Sequence, residues 1–324
     1  MRRLLLIGTG GTIAATSADA SRLTDYQVTQ GIQAMLAAIP GASALADIRC
    51  EQPFNTDSKA LRTTQVLQLA RRVQQAVRDP DIDGVVITHG TDSLEETAFL
   101  LHLTIASPKP VVLTGAMRPA SAPSADGPLN LINALLAARD SASAGRGVLI
   151  VMNDGILAAR QAAKGHTTRV DAFGHDGLGV LGSVCDGQVR YRQRLDPLAV
   201  PAFSLTGLRS LPAVDIIHDY QDAPAHVYLA AIQAGVRGIV VAGMGNGSLS
   251  PAAERGCAQA IRRGLICIRA SRVPRGSVTA KAADTDTGLL AAQDLNPLQA
   301  RIALRLALAH NWDRDAIQAL LQRL

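Results

Sequence analysis

Short runs of β-branched and aliphatic residues recur along this chain, each followed by a turn and then by a longer segment with helical periodicity. The first set of runs covers residues 3–8, 47–50, 85–88, 110–114 and 147–153. Helical patterns lie between them at 28–39, 63–77, 93–103 and 130–139. Runs that are apolar throughout, rather than alternating, suit strands buried on both faces. Strands that alternate with helices at this spacing pair in parallel. A second set follows, with strands at 214–218, 238–242 and 265–271 and helices at 223–234 and 251–263. Asn296-Pro297 starts a further helix that runs to about residue 309, and Asp313 caps a terminal one. Between the sets, residues 188–211 are rich in Arg, Pro and Ser and weakly patterned. The expected fold is therefore two α/β domains. A larger amino-terminal catalytic domain with a mostly parallel sheet spans 1–195, a linker 196–212, and a smaller carboxy-terminal α/β domain 213–324.

Composition narrows the function classes. Aromatic residues make up only 3% of the chain against 48% hydrophobic residues, so the core must be aliphatic. No run approaches the ~18–20 apolar residues of a membrane span. Arg2 and Arg3 precede a four-residue apolar run at 4–7, but a secretory leader needs an apolar core of ~7–15 residues. The run is expected to be the first strand of a cytoplasmic protein. The net charge of +5 comes from scattered arginines that do not interleave with aromatic residues, which argues against a nucleic-acid partner. Cysteines at 50, 185, 257 and 267 form no CxxC, and the seven histidines have no metal-ligand spacing. No metal, cofactor or disulfide framework is expected.

Two of the turns carry hydroxyls. After the first strand comes Thr9-Gly10-Gly11-Thr12-Ile13-Ala14, which lacks the third glycine of a dinucleotide fingerprint and the Lys-Ser/Thr of a phosphate loop. It is a tight turn that exposes Thr12. After the strand at 85–88 comes His89-Gly90-Thr91-Asp92-Ser93, and catalytic groups in parallel α/β proteins lie in such loops. Threonine is a poor nucleophile until a base takes its proton. Lysine occurs only at 59, 109, 164 and 281 in this arginine-rich chain, and a lysine, unlike an arginine, can give up its proton. Lys164 and Asp92 could form a relay with Thr91, and Tyr26, at the end of a small, polar, mobile-looking loop, could serve Thr12. Backbone N–H groups beside Gly11, Gly90 and Gly115 could hold an oxyanion. Each pair alone is a weak signal, since a loop tyrosine is ordinarily a packing residue and a loop lysine an ordinary surface one.

Together the segments resemble the bacterial type I/II L-asparaginase (asparaginase/glutaminase) family. The resemblance rests on residues 9–14, on His89-Gly-Thr-Asp-Ser-Leu-Glu-Glu-Thr97, on Lys109-Pro-Val-Val-Leu-Thr-Gly-Ala-Met-Arg-Pro119, and on Ser124-Ala-Asp-Gly-Pro128. It continues in Val151-Met-Asn-Asp154 and Ser271-Arg-Val-Pro274, so it covers residues 3 to about 310. It implies an amidohydrolase that converts L-asparagine, with L-glutamine as a second candidate, to the acid and ammonia through an acyl-enzyme. By position, Thr12 is the implied nucleophile with Tyr26 as its partner. Thr91, Asp92 and Lys164 are implied to activate the attacking water or, in another reading of the family, the nucleophile itself. Ser58 and Asp92 would hold the substrate α-carboxylate and α-amino group, and the Ala116 carbonyl the leaving amide. Gly11, Asp57, Lys59, Gly90, Asn246 and Ser248 complete the implied substrate-binding set. The resemblance also implies a homotetramer, a dimer of dimers with active sites between paired subunits.

The chain departs from the family pattern in three places. A glutamate that periplasmic members donate from the neighbouring subunit is absent from Thr279-Ala-Lys-Ala-Ala-Asp-Thr-Asp-Thr-Gly288, where Ala283 takes its position with Asp284 beside it. The usual glutamine after the substrate serine is Lys59. Gly245-Asn-Gly-Ser248 replaces Gly-Asn-Gly-Asn, a variant found in members with more glutaminase activity. Two other functions share the frame: a tRNA-dependent amidotransferase subunit, which would need an extra amino-terminal domain, and a non-enzymatic amino-acid sensor, which would have lost its threonines. Ammonia release from free asparagine separates all three.

Overall fold

The computed structural model of the chain describes residues 1–175, 180–193 and 203–324. The chain divides into two units, Met1–Pro197 and Leu198–Leu324. In the first unit the strands are β1 (Arg3–Gly8), β2 (Ala15–Thr16), β3 (Gln27–Val28), β4 (Asp47–Glu51), β5 (Gly84–Thr88), β6 (Val111–Thr114) and β7 (Val148–Met152). They continue with β8 (Gly155–Ala158), β9 (Ala162–Lys164), β10 (Phe173–His175), β11 (Gly182–Cys185) and β12 (Gln188–Tyr191). The α-helices of this unit are α1 (Ile32–Ala37), α2 (Thr63–Arg78), α3 (Leu94–Thr104) and α4 (Gly127–Arg139).

Eight of the strands form one sheet in the order β12-β11-β8-β7-β6-β5-β1-β4. From β7 to β4 every neighbouring pair is parallel, and the pairs from β7 out to β12 are antiparallel. Both faces of the parallel part are covered. Leu4, Leu6, Val86, Val112, Leu149 and Val151 pack with residues of α1 and α4 on one face. Side chains alternate along a strand, so Leu5, Ile7, Val85 and Ile87, also fully buried, face the side where α2 and α3 lie against β5, β6 and β7. In α2 the buried Leu67, Ala70, Val73 and Val77 repeat at helical spacing, which gives the helix its single apolar stripe. The order reverses at β1, with β4 on one side and β5 on the other. The crevice beyond the carboxyl ends of β1 and β5 is thus the switch point, where ligands bind in open α/β sheets.

In the second unit the strands β13 (Val214–His218), β14 (Gly238–Gly243), β15 (Ile266–Ser271) and β16 (Leu290–Ala291) form a parallel four-stranded sheet. Its helices are α5 (His226–Gln233), α6 (Pro251–Arg262), α7 (Ala282–Thr287), α8 (Pro297–Ala309) and α9 (Arg314–Arg323). Tyr228 from α5, with Ala253, Cys257 and Ala260 from α6, covers Ile239, Val241 and Cys267 of the sheet. Asn296 and Asp313 cap α8 and α9 through their side chains, as expected. The two α/β domains read from the sequence are therefore present, the larger mostly parallel and the smaller wholly so. Residues 196–202 of the expected linker, and the expected domain end at 195, lie outside the described residues. From Phe203 onward the segment packs within the second unit: Phe203 stacks on His310 and Trp312 at ring distances of 5.2 and 4.9 Å, and Leu205, Leu208 and Leu211 are buried.

Three local expectations change. The helix expected over 28–39 is confined to Ile32–Ala37, because Gln27–Val28 pairs antiparallel with Ala15–Thr16. The helix expected from residue 130 starts at Gly127, with Pro128 in its first turn. Lys164 ends a short strand, where a loop was expected, and its strand pairs with Phe173–His175. Among the described residues no helix is long and apolar enough to cross a membrane.

Candidate active site

The first loop of the crevice is set by backbone contacts. Thr9 donates from both its N–H and its hydroxyl to the Thr88 carbonyl, tying the end of β1 to β5. Gly11 has φ 85°, a left-handed conformation that an L side chain rarely adopts. A Cβ on it would lie 2.2 Å from Gly90 Cα, so the two loops touch backbone to backbone. Thr12 then opens a short 3-10 turn, Thr12–Ala14, and is buried. Its hydroxyl is 2.8 Å from the Tyr26 hydroxyl. Tyr26 is brought there by the β2–β3 pairing, which returns the chain after the loop at 17–26.

The second loop follows β5. His89 is fully buried, and burial pushes its pKa down to about 4, so the ring is neutral near pH 7. Its Nδ1 donates 2.8 Å to the Gly90 carbonyl, which leaves Nε2 to accept from the Thr97 hydroxyl at 3.0 Å. The histidine thus braces the loop from behind. The buried Thr91 accepts from Lys164 Nζ at 3.1 Å, and the same ammonium donates to Asp92 Oδ1 at 2.8 Å. The three side chains grouped from the sequence are therefore joined by hydrogen bonds. The lysine is largely shielded, with side-chain exposure of 19%, while Asp92 faces solvent at 50%.

Two further loops complete the wall. Ser58 is buried, and its Oγ has no hydrogen-bond partner among the described residues. A Cβ on Gly90 would sit 2.6 Å from that oxygen, so the orphan hydroxyl lies directly against the Gly90 backbone. Ser93 holds the same turn by donating to the Ser58 carbonyl at 3.0 Å. Asp57 caps the turn by accepting from Lys59 N–H, and its carboxylate also pairs with Lys59 Nζ at 3.0 Å. That hydrogen bond and charge raise the Lys59 pKa. Ala116 is buried, and its loop is held by Asp126, which accepts from the N–H groups of Met117 and Arg118, and by Asn130, which donates to the Gly115 carbonyl. Asp126 and Asn130 escaped the sequence reading; Asp126 just ahead of Gly-Pro is a turn and helix-start signal that could have flagged the first. The N–H of Gly11 donates to the Thr56 carbonyl and that of Gly115 to Met152 Sδ, so an oxyanion donor in those two turns would have to be a neighbouring N–H and not the glycine's own.

Asn246, Ser248 and Asp284 belong to the second unit. Asn246 and Ser248 are exposed on the turn after β14, which Met244 and Ser248 close by exchanging backbone hydrogen bonds. Asn246 Oδ1 accepts from the N–H and hydroxyl of Thr279. The Asp284 carboxylate is already occupied. Arg269 donates to it through Nε at 2.8 Å and Nη2 at 2.6 Å, and Lys281 N–H adds 2.7 Å. Burial opposes its ionisation, but the Arg269 hydrogen bond and charge outweigh this and hold its pKa below the usual carboxylate value. A substrate ammonium could reach Asp284 only in competition with that clamp.

Comparison with known proteins gives the arrangement a class, that of the amidohydrolases. The family model for the asparaginase amino-terminal domain matches residues 3–197, and that for the glutaminase/asparaginase carboxy-terminal domain matches residues 213–321. The chain is 40% identical over 320 residues to L-asparaginase 2 of Bacillus subtilis, covering 97% of this chain and 84% of that protein. It is 40% identical over 322 residues to L-asparaginase 2 of Escherichia coli, covering 97% and 91%. A solved structure of a probable cytoplasmic L-asparaginase from Campylobacter jejuni superposes with a TM-score of 0.95 at 39% identity, covering 100% of both chains. The chain belongs to the asparaginase/glutaminase family of amidohydrolases.

Proposed function

We propose that this chain hydrolyses L-asparagine to L-aspartate and ammonia through a threonine acyl-enzyme and takes L-glutamine as a second substrate. The observation that carries the reading is the hydrogen-bonded set Thr91–Lys164–Asp92, standing beside a second hydroxyl pair, Thr12–Tyr26. Thr12 Oγ1 adds to the amide carbon while its proton leaves through the Tyr26 hydroxyl. The C–N bond breaks as the nitrogen takes up a proton and departs as ammonia, guided by the Ala116 carbonyl. Water then attacks the ester; with Lys164 as the free amine, the water's proton passes through the Thr91 hydroxyl to Lys164 Nζ and is returned as the Thr12 C–O bond breaks, so the acid leaves with Thr12 reprotonated. Ser58 has an unpaired donor for the α-carboxylate, and Asp92 supplies the opposite charge for the α-amino group, which suits a zwitterion. Asn246 and Ser248 belong to the substrate-binding set that the family resemblance implies. The active form would be a cytoplasmic homotetramer, a dimer of dimers, as the family resemblance implies.

The experiment is ammonia release from L-asparagine, L-glutamine and the D-amides, each at low and high concentration. Release from L-asparagine with the highest kcat/KM supports the reading, and silence toward every free amide overturns it. Light scattering at assay concentration tests the assembly, since an active monomer would exclude it.

A further inference from the structure

We propose that Glu95 is a positioning residue for Lys164: from the first turn of α3 its carboxylate fixes the Lys164 backbone and so sets the reach of the ammonium to Thr91 and Asp92. This deepens the function proposed above and rests on the role given there to Lys164.

Three observations carry it. First, Glu95 Oε2 accepts from the Lys164 backbone N–H at 2.7 Å, although 69 residues separate the two. Second, β9 is only three residues long and pairs on one side alone, with β10. Gly165, next in line, bonds back to the Ala172 carbonyl. A strand this short has little of its own to hold it against α3, so the carboxylate serves where a neighbouring strand's carbonyl would. Third, the side chain beyond that backbone bond is stretched between two acceptors, 3.1 and 2.8 Å away, on adjacent residues of one tight turn.

The geometry closes a loop through one helix start. Thr91 and Asp92 lie immediately ahead of α3, and Glu95 lies in its first turn. Lys164 therefore meets the same short segment twice, through its backbone at Glu95 and through its ammonium at Thr91 and Asp92. Losing the backbone anchor lets β9 drift, and a lysine that must touch two oxygens tolerates little drift. Burial raises the Glu95 pKa, the Lys164 N–H opposes that, and the Glu96 charge adds to it. A protonated Glu95 still presents a carbonyl oxygen to the N–H, so the proposed role needs the acceptor and not the charge.

The test compares Glu95→Ala, Glu95→Asp and Glu95→Gln with Lys164→Ala in the L-asparagine assay, on folded protein verified by circular dichroism. Glu95→Ala is expected to lower kcat about 10–100-fold with KM changed less than about threefold, as small misplacements of catalytic groups do. Glu95→Asp draws the acceptor back by one methylene and should fall between Ala and wild type, which keeps the test alive if the Ala variant does not fold. Glu95→Gln keeps an oxygen acceptor and should stay within about threefold of wild type with the same pH profile. Wild-type kcat in folded Glu95→Ala or Glu95→Asp would overturn the proposal. So would a Gln variant as damaged as Ala, or one whose acid limb had shifted, since Glu95 would then act by its charge or proton. Lys164→Ala separates the two readings. If it is inactive while Glu95→Ala is normal, only the positioning role falls; if it is fully active, the assignment of Lys164 falls first.

Discussion

Ser58 in the amino-terminal unit and Arg269 in the carboxy-terminal unit are both buried polar residues, and their polar atoms are treated in opposite ways. Ser58 Oγ is sealed against the Gly90 backbone with no partner among the described residues. Arg269, 1% exposed, donates to both oxygens of Asp284 and to the carbonyls of Asn246 and Thr279. A buried donor left unpaired costs on the order of 1–3 kcal/mol, and a buried charge left unpaired costs more. The second unit meets that cost with partners from its own chain. The first leaves it standing where the loops after β1 and β5 meet, which is where a ligand would supply the missing bond. Saturated clusters hold a fold together, and open ones are available for chemistry.

The largest effect should come from the two threonine hydroxyls on the same loops, which, unlike Ser58, are hydrogen-bonded, to Tyr26 and Lys164. Thr12→Ala and Thr91→Val should each lower kcat by about 10³-fold or more, roughly 4 kcal/mol or above. Melting temperatures should change little, because a lost hydroxyl at a strand end opens no large cavity. The double variant should be hardly worse than either single one, as for groups that act as a unit. A single variant with more than about a tenth of wild-type kcat would remove that threonine from the chemistry. Lys164→Arg belongs to the same experiment, and it should be nearly as damaging as Lys164→Ala because arginine keeps the charge but cannot release a proton.

The saturated cluster should answer in stability instead of rate. Asp284→Ala leaves a buried guanidinium without its carboxylate and should lower unfolding free energy by about 3–5 kcal/mol in denaturant titration. Pairing Arg269→Met with Asp284→Leu should restore part of that. A tenfold rise in KM with unchanged stability would instead assign Asp284 to the substrate's amino end, and the contrast between the units would blur.

Next in size is an acid effect. His89 has a pKa near 4 against about 6.5 for the unfolded chain, because burial disfavours its charged form. Between those values the unfolded state binds more protons, so stability rises with pH. The part due to His89 is fully present above pH 6.5 and is lost as pH falls toward 4, amounting to about 3 kcal/mol. His102 is pushed to about 4 as well, by burial and then by the Arg160 charge. His89→Gln should therefore flatten roughly half of the combined histidine slope, read as unfolding midpoints between pH 4 and 7. An unchanged slope would show that His89 is not the buried neutral brace of the Gly90 loop.

The smallest effect expected is at Ser58. Ser58→Ala should raise KM for L-asparagine about tenfold, near 1.4 kcal/mol. Stability should fall by no more than about 0.5 kcal/mol and should rise where the unpaired donor costs the usual ~1–3 kcal/mol, since the hydroxyl it removes had no partner to lose. A stability loss well beyond that would mean that Ser58 belongs with the saturated groups after all.

The central parallel strands β5, β6, β7 and β14 were legible because they run apolar with hardly a break, a pattern that needs no knowledge of neighbours, whereas the two-residue β16 carried no such signal. The side-chain caps at Asn296 and Asp313 were legible too. The site was legible in its loops: Thr12, Tyr26, Thr91, Asp92 and Lys164 stand in the two hydrogen-bonded groups expected of them. What escaped was set at a distance. The β2–β3 pairing takes the start of a segment that is helical in pattern, and no local signal tells Gln27 and Val28 that Ala15 and Thr16 will lie beside them. The strand that ends in Lys164 is three residues of Ala-Ala-Lys, without β-branched side chains to announce it. Glu95 reads from sequence as an ordinary first-turn acid favoured by the helix dipole, and only the folded chain shows it accepting an N–H from 69 residues away. The clamp of Arg269 on Asp284 also escaped, because the sequence singled out Asp284 only for standing beside the position of an absent glutamate, and gave it no partner.

The close backbone contact between Gly11 and Gly90, where an added Cβ would come within 2.2 Å, bears on how such an enzyme can diversify. Gly11 immediately precedes Thr12, and Gly90 immediately precedes Thr91. Both hydroxyls thus hang from one shared joint, and a methyl group added to either glycine would displace the pair together. Tuning one hydroxyl by altering its own hinge is closed off. A library that varies the joint would return mostly inactive clones, whereas one that varies Lys59, exposed next to Ser58, leaves the joint untouched.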